Sequence, residues 1–169
     1  MIILGLDPGT ASTGYGVIKL KSKNEKVKTN IELVSYGIIS TKANGYMPAR
    51  LLLIYKGVRK LISKHKPNKI AIESLFFFKN QKTVMSVSQA RGVIMMACEA
   101  EKVPILEFPP LRIKNLLCQN GRADKKEMQE KVRKMLKLKI IPRPDDAADA
   151  LAVAICSTCH LPQKSDKIK

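Results

Sequence analysis

The chain opens on a short apolar run that ends in an acid and a turn, Ile2-Ile3-Leu4-Gly5-Leu6-Asp7-Pro8-Gly9-Thr10. A continuous apolar run of this length, closed by Pro-Gly, indicates a buried strand that runs into a turn. Charged side chains rarely occupy such a place for structural reasons alone. The stretch therefore predicts a buried strand over residues 2–6, with Asp7 at its carboxyl end.

The remaining elements follow from the spacing of apolar residues and from Pro and Gly. We expect further strands over residues 15–20, 31–40, 69–73 and 104–108, with an exposed hairpin connection at 21–28. We expect helices over 47–63, 84–101, 111–117 and 124–138, and a last helix that opens at Asp145 or Asp146 and runs to about Cys159. The first of these helices has an apolar face that we assign to Leu52, Tyr55, Val58, Leu61 and Ile62.

This order of elements predicts an α/β fold. Three early strands joined by short turns form an antiparallel meander, whereas strands separated by helices join a sheet in parallel by right-handed crossovers. The result is a mixed five-stranded sheet, three antiparallel strands followed by parallel strands, flanked by helices. With 169 residues and 45% apolar content, we expect one domain over residues 1–160, followed by a basic, disordered tail at 161–169.

The charge of the chain is one-sided. Its 31 Lys and Arg residues outnumber 14 Asp and Glu residues, a formal net charge of +17, which favours a polyanionic partner. Nucleic acid is favoured over a membrane surface because the Lys residues are spread along the chain and no basic amphipathic helix stands out; a generally Lys-rich composition is the alternative. We expect a cytoplasmic protein, since the first apolar run is too short for a signal peptide and no run is long enough for a membrane helix.

Four cysteines, Cys98, Cys118, Cys156 and Cys159, are expected to be thiols in a reducing cytoplasm. The run from Cys156 to His160 matches the C-x-x-C-H pattern of haem attachment. We reject haem because the run continues a helical segment and because haem would leave the charge and the acids unexplained.

Four acids occupy unusual places: Asp7, Glu73, Asp146 and Asp149. The first two end apolar strands, and the spacing of three puts the other two on one face of an Ala-rich helix. Singly, Asp7 fits a turn, and Asp145 or Asp146 fits an N-cap. Together, clustered carboxylates repel unless a cation neutralises them. Oxygen ligands without Cys or His favour Mg²⁺ or Mn²⁺, and two such ions about 4 Å apart suit phosphodiester hydrolysis.

Several blocks, in order along the chain, carry a family resemblance. They are Gly5-Leu6-Asp7-Pro8-Gly9-Thr10 with Thr13-Gly14-Tyr15-Gly16-Val17, then Ala71-Ile72-Glu73 with Phe76 and Lys79-Asn80, then Gln89-Ala90-Arg91-Gly92, and finally Asp146-Ala147-Ala148-Asp149-Ala150-Leu151-Ala152. Together they resemble the RuvC family of Holliday junction resolvases. The Asp-x-x-Asp spacing selects Asp146 rather than Asp145.

The resemblance implies an RNase H-like fold and a homodimer that makes paired, Mg²⁺-dependent incisions in junction strands of like polarity, leaving 5′ phosphates, in recombination and repair. It implies that Asp7, Glu73, Asp146 and Asp149 bind the metal and catalyse. It further implies that Phe76 stacks on junction bases, that Lys114 and Lys125 lie near the scissile phosphate, and that Arg91 contacts DNA. Contact with a branch-migration motor follows from the resemblance alone.

Three other functions compete with this one. A sugar-kinase or actin-like ATPase shares the Asp7-Pro8-Gly9-Thr10 pattern, but it needs two domains around its nucleotide. A ribosomal RNA processing nuclease of related fold is the second rival. A non-catalytic DNA-binding module is the third, and the four acids disfavour it because carboxylates at a phosphate-binding surface oppose binding unless metal is recruited.

Overall fold

A computed structural model gives the structure of the chain and describes residues 1–21, 30–74 and 83–160. Within these ranges lie five strands and five α-helices. The strands are β1 (Ile2–Asp7), β2 (Ser12–Lys21), β3 (Asn30–Ser40), β4 (Lys69–Glu73) and β5 (Ile105–Phe108). The helices are α1 (Met47–His65), α2 (Val84–Ala100), α3 (Pro110–Cys118), α4 (Lys125–Met135) and α5 (Asp145–Cys156).

The strands form one mixed sheet in the order β3-β2-β1-β4-β5. β1 pairs with β2, and β2 with β3, in antiparallel fashion, while β4 is parallel to both β1 and β5. The mixed five-stranded sheet predicted from the connections is therefore confirmed. The long edge strand β3 contains a bulge opposite Val17 and Ile18, an irregularity that discourages pairing with another chain at an open edge.

Helices cover both faces of the sheet. Side chains alternate along β1, so that Leu4 and Leu6 pack with buried residues of α1 and α2. Ile3, on the opposite face, packs with α3, α4 and α5. β1 is thus buried on both faces, as the continuous apolar run predicted.

Two details of the predicted elements are wrong. Leu52, assigned to the apolar face of α1, is half exposed, whereas Ile54 is fully buried. At 100° per residue, Leu52 lies about 120° around the helix from Val58, whereas Ile54 lies about 40° from it. The last helix ends at Cys156, three residues before the predicted end, and a 3-10 turn follows over Ser157–His160.

Other ends differ by a few residues. β2 is longer than predicted at both ends, and α3 begins at Pro110, where a missing N–H costs nothing in the first turn of a helix. The predicted hairpin connection, apart from Lys21, lies outside the described residues, and so does the predicted tail.

Helix α5 lies so close to the sheet that side chains are excluded at the contact. A Cβ atom on Gly5 of β1 would lie 2.1 Å from the Ala150 carbonyl oxygen and 2.8 Å from the Ala154 Cβ. A Cβ atom on Gly14 of β2 would lie 2.0 Å from the Asp146 carbonyl oxygen. Glycine at these two positions therefore sets how closely the first turns of α5 approach the ends of β1 and β2.

We expect Gly5→Ala to destabilise the fold by about 1–3 kcal/mol, because α5 would have to move away from β1 and disturb its packing. Urea denaturation measures this change. Gly45→Ala is the control, since a Cβ there would lie 3.1 Å from the Lys42 carbonyl oxygen and 3.4 Å from the nearest Arg50 side-chain atom, and should shift the midpoint much less. A wild-type midpoint for Gly5→Ala would show that α5 can shift without cost.

Candidate active site

The first acid of the site is fixed by the end of a central strand. Asp7 is the last residue of β1 and pairs with Gly14 of β2. The turn that follows is closed by the Thr13 hydroxyl, which donates to the Gly9 carbonyl oxygen at 2.7 Å. Burial raises the pKa of the Asp7 carboxyl well above its ordinary value, and the charges of Glu73, Asp149 and Asp146 raise it further, while Lys125 opposes them.

The second acid ends the neighbouring parallel strand. Leu6 pairs with Ile72, so Asp7 and Glu73 are the next residues along β1 and β4 and emerge at the same edge of the sheet. Burial, and then the charge of Asp149, raise the pKa of Glu73 to about 7, although Lys114 acts to lower it. A carboxyl group in this condition is poorly solvated as an anion and would gain from a nearby cation.

Helix α5 brings the last two acids to the same place. One carboxylate oxygen from each of Asp7, Asp146 and Asp149 can be chosen so that all three lie within 4.8 Å of one another. Burial raises the pKa of Asp149 as well, against the effect of Lys125. Three carboxylates this close, and no His or Cys in the group, make a donor set suited to a hard divalent cation.

Asp145 lies outside this group of three. Its carboxylate accepts a hydrogen bond from Gln129 Nε2 at 3.0 Å and lies 3.2 Å from Lys125 Nζ. Pro144 occupies the N-cap position of α5, and no side chain caps that end. The alternative in which Asp145 or Asp146 serves as the N-cap is therefore wrong. The Asp-x-x-Asp spacing selected Asp146, and this is the residue whose carboxylate lies close to that of Asp7.

Glu73 and Asp149 also line a cavity of about 180 Å³, together with Lys114 and Lys125. Lys114 Nζ donates to the Ala123 carbonyl oxygen at 2.6 Å, and Lys125 Nζ lies 3.4 Å from an Asp149 carboxylate oxygen. Both lysines expected near the scissile phosphate thus stand beside the acids. Carboxylates repel a phosphate backbone, and two ammonium groups at the same cavity offset part of that repulsion.

Arg91, which is also expected to touch DNA, is not part of this cluster. Arg91 lies on α2 and forms an ion pair with Glu107 of β5. Phe76 lies outside the described residues, as do Phe77 and Phe78.

Sequence reasoning missed the residues that surround Asp145. Gln129 is only 5% exposed, although it lies in a helix of mostly charged residues, and the Arg143 guanidinium forms an ion pair with Asp145. The sequence carried one usable sign, since Gln129 follows Lys125 by one helical turn and so shares its face. Its partner on α5 could not be inferred from that spacing.

A strand-end acid on each of two adjacent parallel strands, with two more on a helix packed across them, is typical of the class of metal-dependent nucleases that are built on an RNase H-like sheet. Comparison with known proteins supports this class. Residues 3–157 match the family model described as "Crossover junction endodeoxyribonuclease RuvC". The chain therefore belongs to the RuvC family of endodeoxyribonucleases.

Individual relatives agree with the family model. The RuvC proteins of Syntrophomonas wolfei and Natranaerobius thermophilus are each 47% identical to this chain over 156 residues, which is 92% of this chain and 87% and 93% of theirs. The structure of Thermus thermophilus RuvC, also solved in complex with a Holliday junction substrate, is similar with a TM-score of 0.84 at 29% identity, covering 94% of this chain and 93% of that one. A yeast mitochondrial Holliday junction resolvase, with a TM-score of 0.65 at 15% identity over 91% of this chain and 77% of its own, shares the fold.

Family membership weighs against two of the three competing functions. A RuvC match over nearly the whole chain argues against an ATPase and a non-catalytic module, and the expectations of an RNase H-like fold and of a RuvC protein are confirmed. No helix in the described part of the chain is long and apolar enough to span a membrane.

We expect the acids to make the metal-free protein less stable as the pH rises. The pKa of Glu73 is about 7 in the folded chain against an ordinary 4.5, so folding favours the protonated form, and stability is lost as the pH rises from about 4.5 through 7. Glu73→Gln should therefore raise the Tm in EDTA by a few degrees at pH 8 and hardly at pH 4.5, given that about 1 kcal/mol shifts the Tm by roughly 2–4 °C.

Thermal melts of the wild type and of Glu73→Gln, in EDTA across this pH range, measure the difference in Tm. Groups that titrate in both proteins affect both Tm values alike and do not contribute to this difference. Glu99→Gln, on the exposed surface of α2, is the matched control and should follow the wild type. In Mg²⁺, the gap between the wild type and Glu73→Gln should narrow as the cation offsets the repulsion. An equal Tm for Glu73→Gln and the wild type at pH 8 in EDTA would contradict a raised pKa of Glu73 in the folded chain.

Proposed function

We propose that this chain resolves four-way DNA junctions by paired, Mg²⁺-dependent hydrolysis of phosphodiester bonds in strands of like polarity, leaving nicks with 5′ phosphates. The observation that carries this proposal is the convergence of the Asp7, Asp146 and Asp149 carboxylates, with Glu73 beside them, at one edge of the sheet. Membership of the RuvC family supports the junction as substrate, because a Thermus thermophilus relative is known in complex with one.

The residues present fit a divalent cation. Asp7, Asp146 and Asp149 would hold it, and Glu73 stands beside them to complete a site for two ions. Buried carboxylates whose pKa values are raised by burial and by one another have an unmet need for positive charge. A bound Mg²⁺, or Mn²⁺ in its place, supplies Lewis acidity for an in-line attack on the phosphorus.

The protein's own cations complete the site. Lys114 and Lys125 line the cavity beside Glu73 and Asp149, where they would contact the oxygens of the scissile phosphate. A chain of net charge +17 attracts the rest of the DNA backbone by release of counterions. In the proposal, Phe76 stacks on bases at the opened junction, Arg91 contacts DNA, and the protein docks on a branch-migration motor.

We extend the proposal to a homodimer, since paired incisions require two sites. Helix α2 carries a solvent-facing stripe of Met85, Gln89, Gly92 and Met96, spaced by four, three and four residues. Met85 and Met96 are 72% and 57% exposed, and nothing lies within 4 Å of where a Cβ on Gly92 would be. Such spacing lets two helices pack along one seam.

The curated relatives are bacterial, and we place the activity in the cytoplasm, which holds bacterial DNA.

The proposed function is tested with a synthetic four-way junction, a matched linear duplex and a structured RNA, each incubated with the protein in Mg²⁺ or EDTA. We expect symmetric nicks confined to the junction, dependent on Mg²⁺, and ligatable without further treatment. Cleavage of RNA alone would point instead to an RNA processing nuclease. Tight binding without cleavage would point to a binding module.

We expect Asp7→Asn to bind the junction while losing cleavage by at least about 10³-fold, because it removes a metal ligand and not a phosphate contact. Gel-shift titration in EDTA and single-turnover cleavage in Mg²⁺ separate the two effects. Asp124→Asn is a matched control, since it alters an aspartate at the N-cap of α4 that accepts from the Glu127 backbone N–H. Lost binding with an unchanged rate would exclude a metal role for Asp7.

We expect Met96→Glu to convert the dimer to monomers, because a carboxylate would be buried at the seam of α2 without a partner. Sedimentation analysis measures the change. Ile140→Glu is the control, since Ile140 is 75% exposed on the connection between α4 and α5, and those two helices cover the other face of the sheet from α2. If Met96→Glu sediments as a dimer, α2 does not form the interface.

A further inference from the structure

Asp145 lies directly before a proposed metal ligand yet makes different contacts. It occupies the first turn of α5, but its carboxylate meets α4 instead of Asp7. One oxygen accepts from Gln129 Nε2 at 3.0 Å and from the Arg143 guanidinium. The other oxygen lies 3.2 Å from Lys125 Nζ.

The Lys125 ammonium therefore stands between two carboxylates. It lies 3.2 Å from Asp145 and 3.4 Å from Asp149, and only Asp149 belongs to the group of three acids that could hold a metal. We propose that Asp145 is a positioning residue that keeps the Lys125 ammonium at the rim of the acidic site during DNA cleavage. This inference rests on the proposed function, in which Lys125 contacts the scissile phosphate.

The need for a second carboxylate follows from electrostatics. A divalent cation on Asp149 would cancel the attraction that this residue exerts on Lys125 and would itself repel the ammonium. Lys125 is half exposed, and a lysine side chain is flexible and strongly hydrated, so without an anchor it would spread into solvent. Asp145 lies outside the group of three and retains its charge when the metal is bound.

Asp145 is itself held in place by Gln129 and Arg143. Gln129 is buried, and its amide donates to the carboxylate without bringing a competing charge. The Arg143 guanidinium binds the same oxygen from the chain just before α5. Since Gln129 and Lys125 are one turn apart on α4, one carboxylate on α5 fixes the position of both.

The experiment is a double-mutant cycle on Asp145 and Lys125, read as single-turnover cleavage of a four-way junction at saturating protein and Mg²⁺. Asp145→Asn keeps the shape of the side chain and an acceptor for Gln129 but loses the charge. We expect it to slow cleavage about 10-fold or more, as misplacement of a reacting group does, and to have no further effect in a Lys125→Met background. Junction affinity in EDTA and the Tm should change little.

Three further variants keep the result independent of folding and of net charge. Asp145→Ser is carried through the same cycle, so the outcome does not depend on one variant alone. Glu130→Gln removes one negative charge from α4, the helix that carries Lys125. Because Glu130 pairs with Arg133 and Lys134, the cleavage rate of this variant should equal that of the wild type. Asp145→Glu, which restores the charge, should recover part of the lost rate.

The outcomes separate this inference from the function on which it rests. If Lys125→Met cleaves at the wild-type rate, the role of Lys125 fails, and the inference fails with it. If Lys125→Met is slow while Asp145→Asn is as fast as the wild type, only the inference fails. Equal losses from Asp145→Asn in both backgrounds would assign Asp145 a structural role independent of Lys125 and would also overturn it.

Discussion

The approach of helix α5 to the backbone of β1 and β2 is the constraint on which the site depends. Gly5 faces the Ala150 carbonyl and Gly14 faces the Asp146 carbonyl, both at distances that leave no room for a side chain. Two acids are thereby placed relative to Asp7 by backbone contact, and only short aspartate side chains remain to be ordered. Rigid elements hold a metal site more accurately than loops do.

This arrangement costs stability, and the rest of α5 offsets the cost. The acids gather where burial and mutual repulsion raise the pKa values of Asp7, Glu73 and Asp149. From Ala147 to Cys156, every residue of α5 except Asp149 is buried. The small side chains of this Ala-rich helix permit the close approach, and the apolar area they bury holds the carboxylates together. Strain of this kind is typical of functional sites.

Much of the fold was predictable from the sequence because its signals are local. The apolar run before Asp7, the breakers between elements and the length of each connection determine the strands and whether each pair is parallel or antiparallel. The Asp-x-x-Asp spacing likewise placed Asp146 and Asp149 together, since helical geometry needs no tertiary information. Leu52 was assigned to the wrong face because its spacing to Tyr55 matched, although Ile54 fits the buried stripe better.

What escaped prediction depends on contacts between distant segments. Gly5 and Gly14 belong to blocks that resemble the RuvC family, but their contact with α5, over 130 residues later, can be seen only in the folded chain. Gln129 is buried on α4, and Asp145 on another helix accepts a hydrogen bond from its amide. A lone polar residue in a charged helix gives no sign of this. The alignment of α4 with α5 is set by packing, so the residues that surround Asp145 can be identified only in the folded chain.

In the proposed function the acidic site accounts for cutting, whereas selection of a junction must come from elsewhere. Phosphodiester groups are alike along any DNA strand, so four carboxylates and two lysines cannot distinguish a junction from a duplex. Selection requires parts of the protein that sense the shape of the DNA over a longer distance. In the proposed homodimer, a two-fold axis places two acidic sites in equivalent positions. This arrangement matches the two strands of like polarity in a four-way junction. Each chain then carries out hydrolysis of one strand, and the dimer as a whole selects the substrate.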